Sequence, residues 1–151
     1  MKAPKRSIEI AVDGIPAPRW RKSLSRFCAT ALTSAGFAQW EISFLLCDDE
    51  RITTLNGRYR GMQRPTDVLS FPGDEEGTGG AVVGDIAISL DTLRRNAVAF
   101  GVSEEEELKR LVVHGVLHLS GMDHGRGKGR KMLALQEQLL ERLQAERIIR
   151  E

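Results

Sequence analysis

All three histidines of the chain fall in one stretch, Leu111-Val-Val-His-Gly-Val-Leu-His-Leu-Ser-Gly-Met-Asp-His124. On an α-helix His114 and His118 share a face about one turn apart, ~6 Å along the axis. That is the spacing at which two imidazoles grip one metal ion. Gly121 can adopt the left-handed conformation that ends a helix and turns the chain back, which would carry His124 round to the same ion. A lone histidine is ordinarily a core or surface residue; the grouping of all three carries the reading. Three neutral nitrogen donors suit zinc and leave a fourth position open for water or substrate. The spacing therefore predicts one zinc ion per chain on His114, His118 and His124. With no cysteine near the motif, an open, catalytic ion is favoured over a closed structural one.

The same stretch dictates how the chain must fold around it. Leu108, Leu111, Val112 and Leu117 give the helix continuous apolar character, which predicts a buried central helix. Ser103 followed by Glu106 forms a capping box at its start, and Glu104 to Glu107 suit the positive end of the helix dipole. These glutamates read as helix-start chemistry, not as metal ligands.

Upstream, Ser7–Val12 alternates as a strand. A helix is expected from Pro18 to Ala35, with Trp20, Leu24, Phe27, Cys28, Ala31, Leu32 and Ala35 on its apolar side and Arg19, Lys22 and Arg26 on a basic face that reads as solvated. Glu41–Leu46 reads as a second strand, followed by a short helix capped by Asp48 or Asp49 and running to about Tyr59. Asp67–Phe71 and Val82–Ser89 are the third and fourth strands, separated by a glycine-rich acidic loop from Gly73 to Gly80. Ser89 or Asp91 opens a helix closed by Gly101. A long terminal helix is expected from Arg130 to about Ile149, with Met132, Leu135, Leu139 and Leu143 on one side. The pattern predicts a single α+β domain over residues 1–151: a small mixed four-stranded sheet packed against helices, its buried central helix carrying the histidines.

Composition narrows the class. The chain has 151 residues, 41% hydrophobic and 28% charged, enough for one domain with its own core. No run of ~18 apolar residues is present to span a membrane, and Lys2, Lys5 and Arg6 are not followed by the apolar stretch of a signal peptide. Cys28 and Cys47 read as reduced, half-buried thiols. A cytoplasmic protein is expected. A net charge of +1 means that any nucleic-acid binding must come from local patches.

His114-Gly-Val-Leu-His-Leu-Ser-Gly-Met-Asp-His124 resembles the signature of the YbeY endoribonucleases, bacterial rRNA maturation factors. Leu55-Asn-Gly-Arg-Tyr-Arg-Gly61, Pro65-Thr-Asp-Val-Leu-Ser-Phe-Pro72 and Gly84-Asp-Ile-Ala-Ile88 resemble the family as well. The resemblance implies a zinc-dependent, single-strand-specific endoribonuclease acting in rRNA maturation at the 16S 3′ end and in ribosome quality control. It implies single-stranded RNA and rRNA, the small ribosomal subunit and assembly factors as partners, and Arg60 as the arginine of the catalytic cleft. Phosphoryl chemistry supports that last assignment, because a planar guanidinium matches a phosphate and its developing charge. Neighbouring Arg58 and Arg64 are phosphate contacts or solvated residues. Asp67 and Asp85 are candidate proton acceptors, although each sits where an aspartate ordinarily binds backbone, and the general base stays unassigned.

Two departures matter. A zinc peptidase needs a glutamate beside the first histidine as general base; here Gly115 stands there, which argues against peptidase chemistry and predicts room beside the metal for a bulky substrate group. After His124, where the family commonly continues with acidic residues, this chain has Gly125-Arg-Gly-Lys-Gly-Arg-Lys131. This basic loop is either an RNA backbone contact or a solvated lead-in to the last helix. Two rival classes stay open: a metal-stabilised RNA- or ribosome-binding assembly factor that does not cut, and a zinc hydrolase of another ester or amide.

Overall fold

Strand alternation decides which side of the sheet is buried. A computed structural model describes residues 4–73, 80–122 and 128–149. In chain order its elements are β1 (Arg6–Asp13), α1 (Arg21–Ser34), β2 (Trp40–Cys47), α2 (Asp49–Arg60), β3 (Val68–Pro72), β4 (Val82–Ser89), α3 (Leu90–Phe100), α4 (Glu104–Leu119) and α5 (Lys128–Arg142). The sheet runs β1-β2-β4-β3. Its first three strands are parallel, and β3 pairs antiparallel with β4 as an edge strand. This is the expected α+β fold with a mixed four-stranded sheet.

Ile42, Phe44, Leu46, Ile86 and Ile88 point to one face and join Leu24, Leu32, Leu108, Leu111, Val112 and Leu117 in the main core. On the opposite face, among the described residues, α2 is the helix that covers the sheet: Ile52 packs there with Cys47, Leu69 and Ala87. Beyond α2 the register row Glu9, Ser43, Asp85 and Phe71 lies on that second face, and Glu9 and Asp85 are exposed.

Local signals fix the helix starts. Asp48 accepts a hydrogen bond from the Arg51 amide, Ser89 from Thr92 and Ser103 from Glu106, so each is the N-cap of its helix. The Asp49 carboxylate accepts from the Ser89 and Thr92 hydroxyls at 2.7 Å, tying the start of α2 to the start of α3. Gly84, at φ +153°, has no room for a side chain: a Cβ there would run into the Phe71 carbonyl and the Leu119 side chain. Its bareness lets β3 and the end of α4 close onto β4.

Several boundaries and environments differ from the sequence expectation. α1 begins at Arg21, not Pro18, because Trp20 supplies the first helical carbonyl, to Leu24. α5 begins at Lys128, so residues 128–131 are helical and not loop; Gly125–Gly127 lie outside the described residues, as does the stretch 74–79 of the acidic loop. The terminal helix stops at Arg142, not Ile149. Lys109 Nζ donates to the Leu143 and Gln144 carbonyls at 3.3 Å. The Glu105 carboxylate accepts the Ile148 and Ile149 amides at 2.6 and 3.0 Å, pulling the chain out of helical path. Cys28 and Cys47 are fully buried, not half-buried, and burial pushes both thiols well above their ordinary range. No helix among the described residues is long and apolar enough to cross a membrane.

Candidate active-site cleft

The buried side of α4 carries large apolar side chains interrupted by one glycine, and that glycine sets the helix's distance from the sheet. A Cβ at Gly115 would stand 3.0 and 3.2 Å from Ile86 side-chain carbons and 3.4 Å from the Ser70 hydroxyl, which donates to the Gly115 carbonyl. The expectation that Gly115 leaves space for substrate is thus corrected. The space is filled by β4 and β3, and the glycine allows close packing of helix on sheet.

With Gly115 facing the sheet, His114 and His118 lie together on one side of α4, both half-buried. Their Nε2 atoms are 2.9 Å apart and their rings meet at 72°. Two nitrogen ligands on one tetrahedral zinc would be about 3.3 Å apart, so the pair is near ligating separation without rearrangement. His114 Nδ1 lies 2.7 Å from Gln136 Oε1. An amide oxygen only accepts, so Nδ1 carries the proton and Nε2 presents its lone pair towards His118. Burial holds the His114 imidazole below its ordinary pKa, with His118 and Arg110 adding to the effect and the Gln136 bond opposing it. This shift favours the neutral ring, the form a ligand must take. Gly121 takes φ +82° after Ser120 and ends the helix as expected. His124 lies outside the described residues. Among those described, no group of three His, Cys, Asp or Glu side chains converges on a metal position.

Gln136 was missed by the sequence reading. It is 3% exposed and sits in the α5 apolar stripe, four residues after Met132 and three before Leu139. An amide at a core position is a legible signal of a buried polar partner; the partner's identity is not legible, because it lies on another helix.

Arg60 arrives from the other side. It is the last residue of α2, followed by Gly61 at φ +69°; Gly61 donates to the Gly57 carbonyl and Met62 to the Asn56 carbonyl, the bonding of a glycine-closed helix end. Asn56, 1% exposed, donates to the Arg64 carbonyl at 2.9 Å and fixes the following loop. Arg60 is exposed, and its guanidinium has no hydrogen-bond or ion-pair partner among the described residues. Arg58 and Arg64 are exposed too. Arg60, Tyr59, His114, His118 and residues 66–71 line one cleft of about 600 Å³ along β3, the outer strand of the sheet among the described residues.

Neither aspartate is poised as a base. Asp67 lines the cleft, but Oδ1 accepts from the Val68 amide at 2.8 Å while Oδ2 accepts from Asn96 and Arg110 at 3.2 and 3.3 Å. Its work is to join β3 to α3 and α4. Asp85 lies on the opposite sheet face. The glutamates of α4 also do more than favour its dipole: Glu107, 1% exposed, holds Arg110 through two 2.7 Å bonds.

Residues 7–144 match the family model described as endoribonuclease YbeY. Curated proteins named endoribonuclease YbeY are similar throughout. One from Treponema pallidum is 42% identical, covering 88% of this chain and 87% of its own. One from Treponema denticola is 47% identical over 78% and 79%, and one from Aquifex aeolicus 42% over 82% and 83%. A solution structure of a Thermotoga maritima protein superposes with a TM-score of 0.68 at 28% identity, covering 93% of this chain and 91% of that one.

Proposed function

Because this chain belongs to the endoribonuclease YbeY family, we propose that its cleft cuts single-stranded RNA with the help of one zinc ion held by His114, His118 and His124. The substrate in this reading is rRNA, trimmed at the 16S 3′ end during maturation and ribosome quality control, in the cytoplasm and in company with the small subunit and its assembly factors. The observation that carries the reading is the meeting of Arg60 with His114 and His118 in one cleft, although they come from different helices on opposite sides of β3.

The donor set fits the metal: two imidazole nitrogens converge, and Gln136 holds one in the ligating tautomer. When bound, zinc supplies a Lewis acid for a phosphate oxygen and a water of lowered pKa. Arg60 binds the scissile phosphate through its planar fork and stabilises the charge that develops on it. Gly115 and Ser70 seat α4 on the sheet so that both histidines face the cleft. Replacing Gln136 with leucine removes the acceptor for His114 Nδ1. It is expected to weaken zinc binding about 10–100-fold, read by competition with a chromophoric chelator. An unchanged affinity would detach Gln136 from the centre.

Hydrolysis of an amide is a weaker second reading. The outer edge of β3, without a strand partner among the described residues, could pair with an extended peptide, but the position of a zincin's general base is Gly115, packed against Ile86. One comparison tests the choice: the same RNA sequence offered as a single strand and as a perfect duplex, beside a mixture of unstructured peptides. Cleavage at least ~10-fold faster for the single strand is expected, since its splayed bases fit a cleft that a stacked helix cannot enter. Faster duplex cleavage, or peptide cleavage alone, would overturn the reading.

A further inference from the structure

Tyr59 precedes Arg60 and is 61% exposed, a large ring left open beside the reactive cleft. It meets Phe71 edge-on, with ring centroids 5.1 Å apart. These two rings line both the cleft of Arg60, His114 and His118 and a second hollow of about 370 Å³ on the α2 side of the sheet, within the ~300–1,000 Å³ range of small-molecule sites. They form the ridge between the two. The charge changes sign across that ridge. Arg60 stands on the cleft side. In the hollow stands Asp85, beside its register partner Ser43 and with Glu9 next along the row. Among the described residues the Asp85 carboxylate has no hydrogen-bond or ion-pair partner.

An RNA strand over this ridge would keep its phosphates with the arginine, because the acidic row repels them, and could lay a base on the aromatic side. We infer that the Tyr59–Phe71 ridge and the Asp85 hollow bind the nucleobase adjoining the scissile phosphate, with guanine preferred. This rests on the ribonuclease reading above. Tyr59 supplies the stacking surface, which is tolerant of base identity. Asp85 supplies the choice: its two acceptor oxygens match the adjacent N1–H and N2–H donors of guanine, whereas each other base offers a single donor group on that edge. The Ser43 hydroxyl beside it is placed to serve the neighbouring base oxygen.

The test uses single-stranded oligoribonucleotides that differ at one position in a uridine run, cut by zinc-loaded full-length protein with the cleavage site mapped. Cleavage next to guanosine is expected to exceed that next to the other bases by roughly 5- to 150-fold in kcat/KM, and D85N should flatten that preference. Y59L should raise KM roughly 5- to 150-fold with zinc content unchanged, while Y59F should keep the wild-type KM. A flat wild-type preference, one that D85N leaves intact, or a wild-type KM in Y59L would overturn the inference. Binding of strands carrying thienoguanosine, a fluorescent guanosine analogue that keeps the N1–H and N2–H donors, to zinc-stripped protein separates this from the nuclease reading. Quenching that disappears in Y59L supports the subsite whatever happens to cleavage, and no quenching in the wild type overturns it.

Discussion

Arg60→Ala is expected to lower kcat for RNA cleavage by roughly 10²–10³-fold, the range seen when a preorganised charge-stabilising donor is removed. Zinc content should not change, because Arg60 lies on α2, whereas His114 and His118 lie on α4. Stability should shift by no more than about 0.5 kcal/mol. The side chain is exposed and holds no carboxylate among the described residues, so its loss leaves nothing buried and unpaired. Arg60→Lys should recover only part of the rate, since an ammonium keeps the charge and loses the planar fork. Single-turnover kinetics beside zinc analysis checks both. A fully active Arg60→Ala would remove the arginine from the mechanism.

His118→Ala is expected to abolish cleavage by a different route. It removes one of the two nitrogens that converge at 2.9 Å. Zinc affinity should therefore fall by more than the roughly 10–100-fold that loss of an outer partner costs, so that dialysis strips the ion. The fold should survive: His118 is half-buried, and the α4 core is built from Leu111, Val112, Leu117 and their neighbours. Metal analysis after dialysis, with circular dichroism for the fold, is the measurement. A variant that keeps one zinc per chain would move the ion away from α4.

What could be read in advance was what local pattern encodes. Helical spacing put His114 and His118 on one face, Ser103 and the Asp48-Asp49 pair announced helix starts, Gly121 and Gly101 announced ends, alternation gave the first strand, and short apolar runs between turn residues gave the other three. The resemblance, not periodicity, singled out Arg60. Illegible features depend on partners far away in the chain. Gly115 looked like open space because Ile86 and Ser70, which fill it, come from strands whose packing no local pattern reports. Glu105 looked like a dipole residue until Ile148 and Ile149 came back to it, and that return, with Lys109, shortened the last helix. Gln136 was a visible anomaly in an apolar stripe, yet its role needed α5 laid beside α4.

The most direct test of the account is cleavage of end-labelled single-stranded RNA by tag-free wild-type protein before and after zinc is chelated and then restored. Activity that falls to background on chelation and returns with about one zinc per chain is the predicted result. Undiminished cleavage by fully zinc-free protein would contradict a metal-dependent cleft.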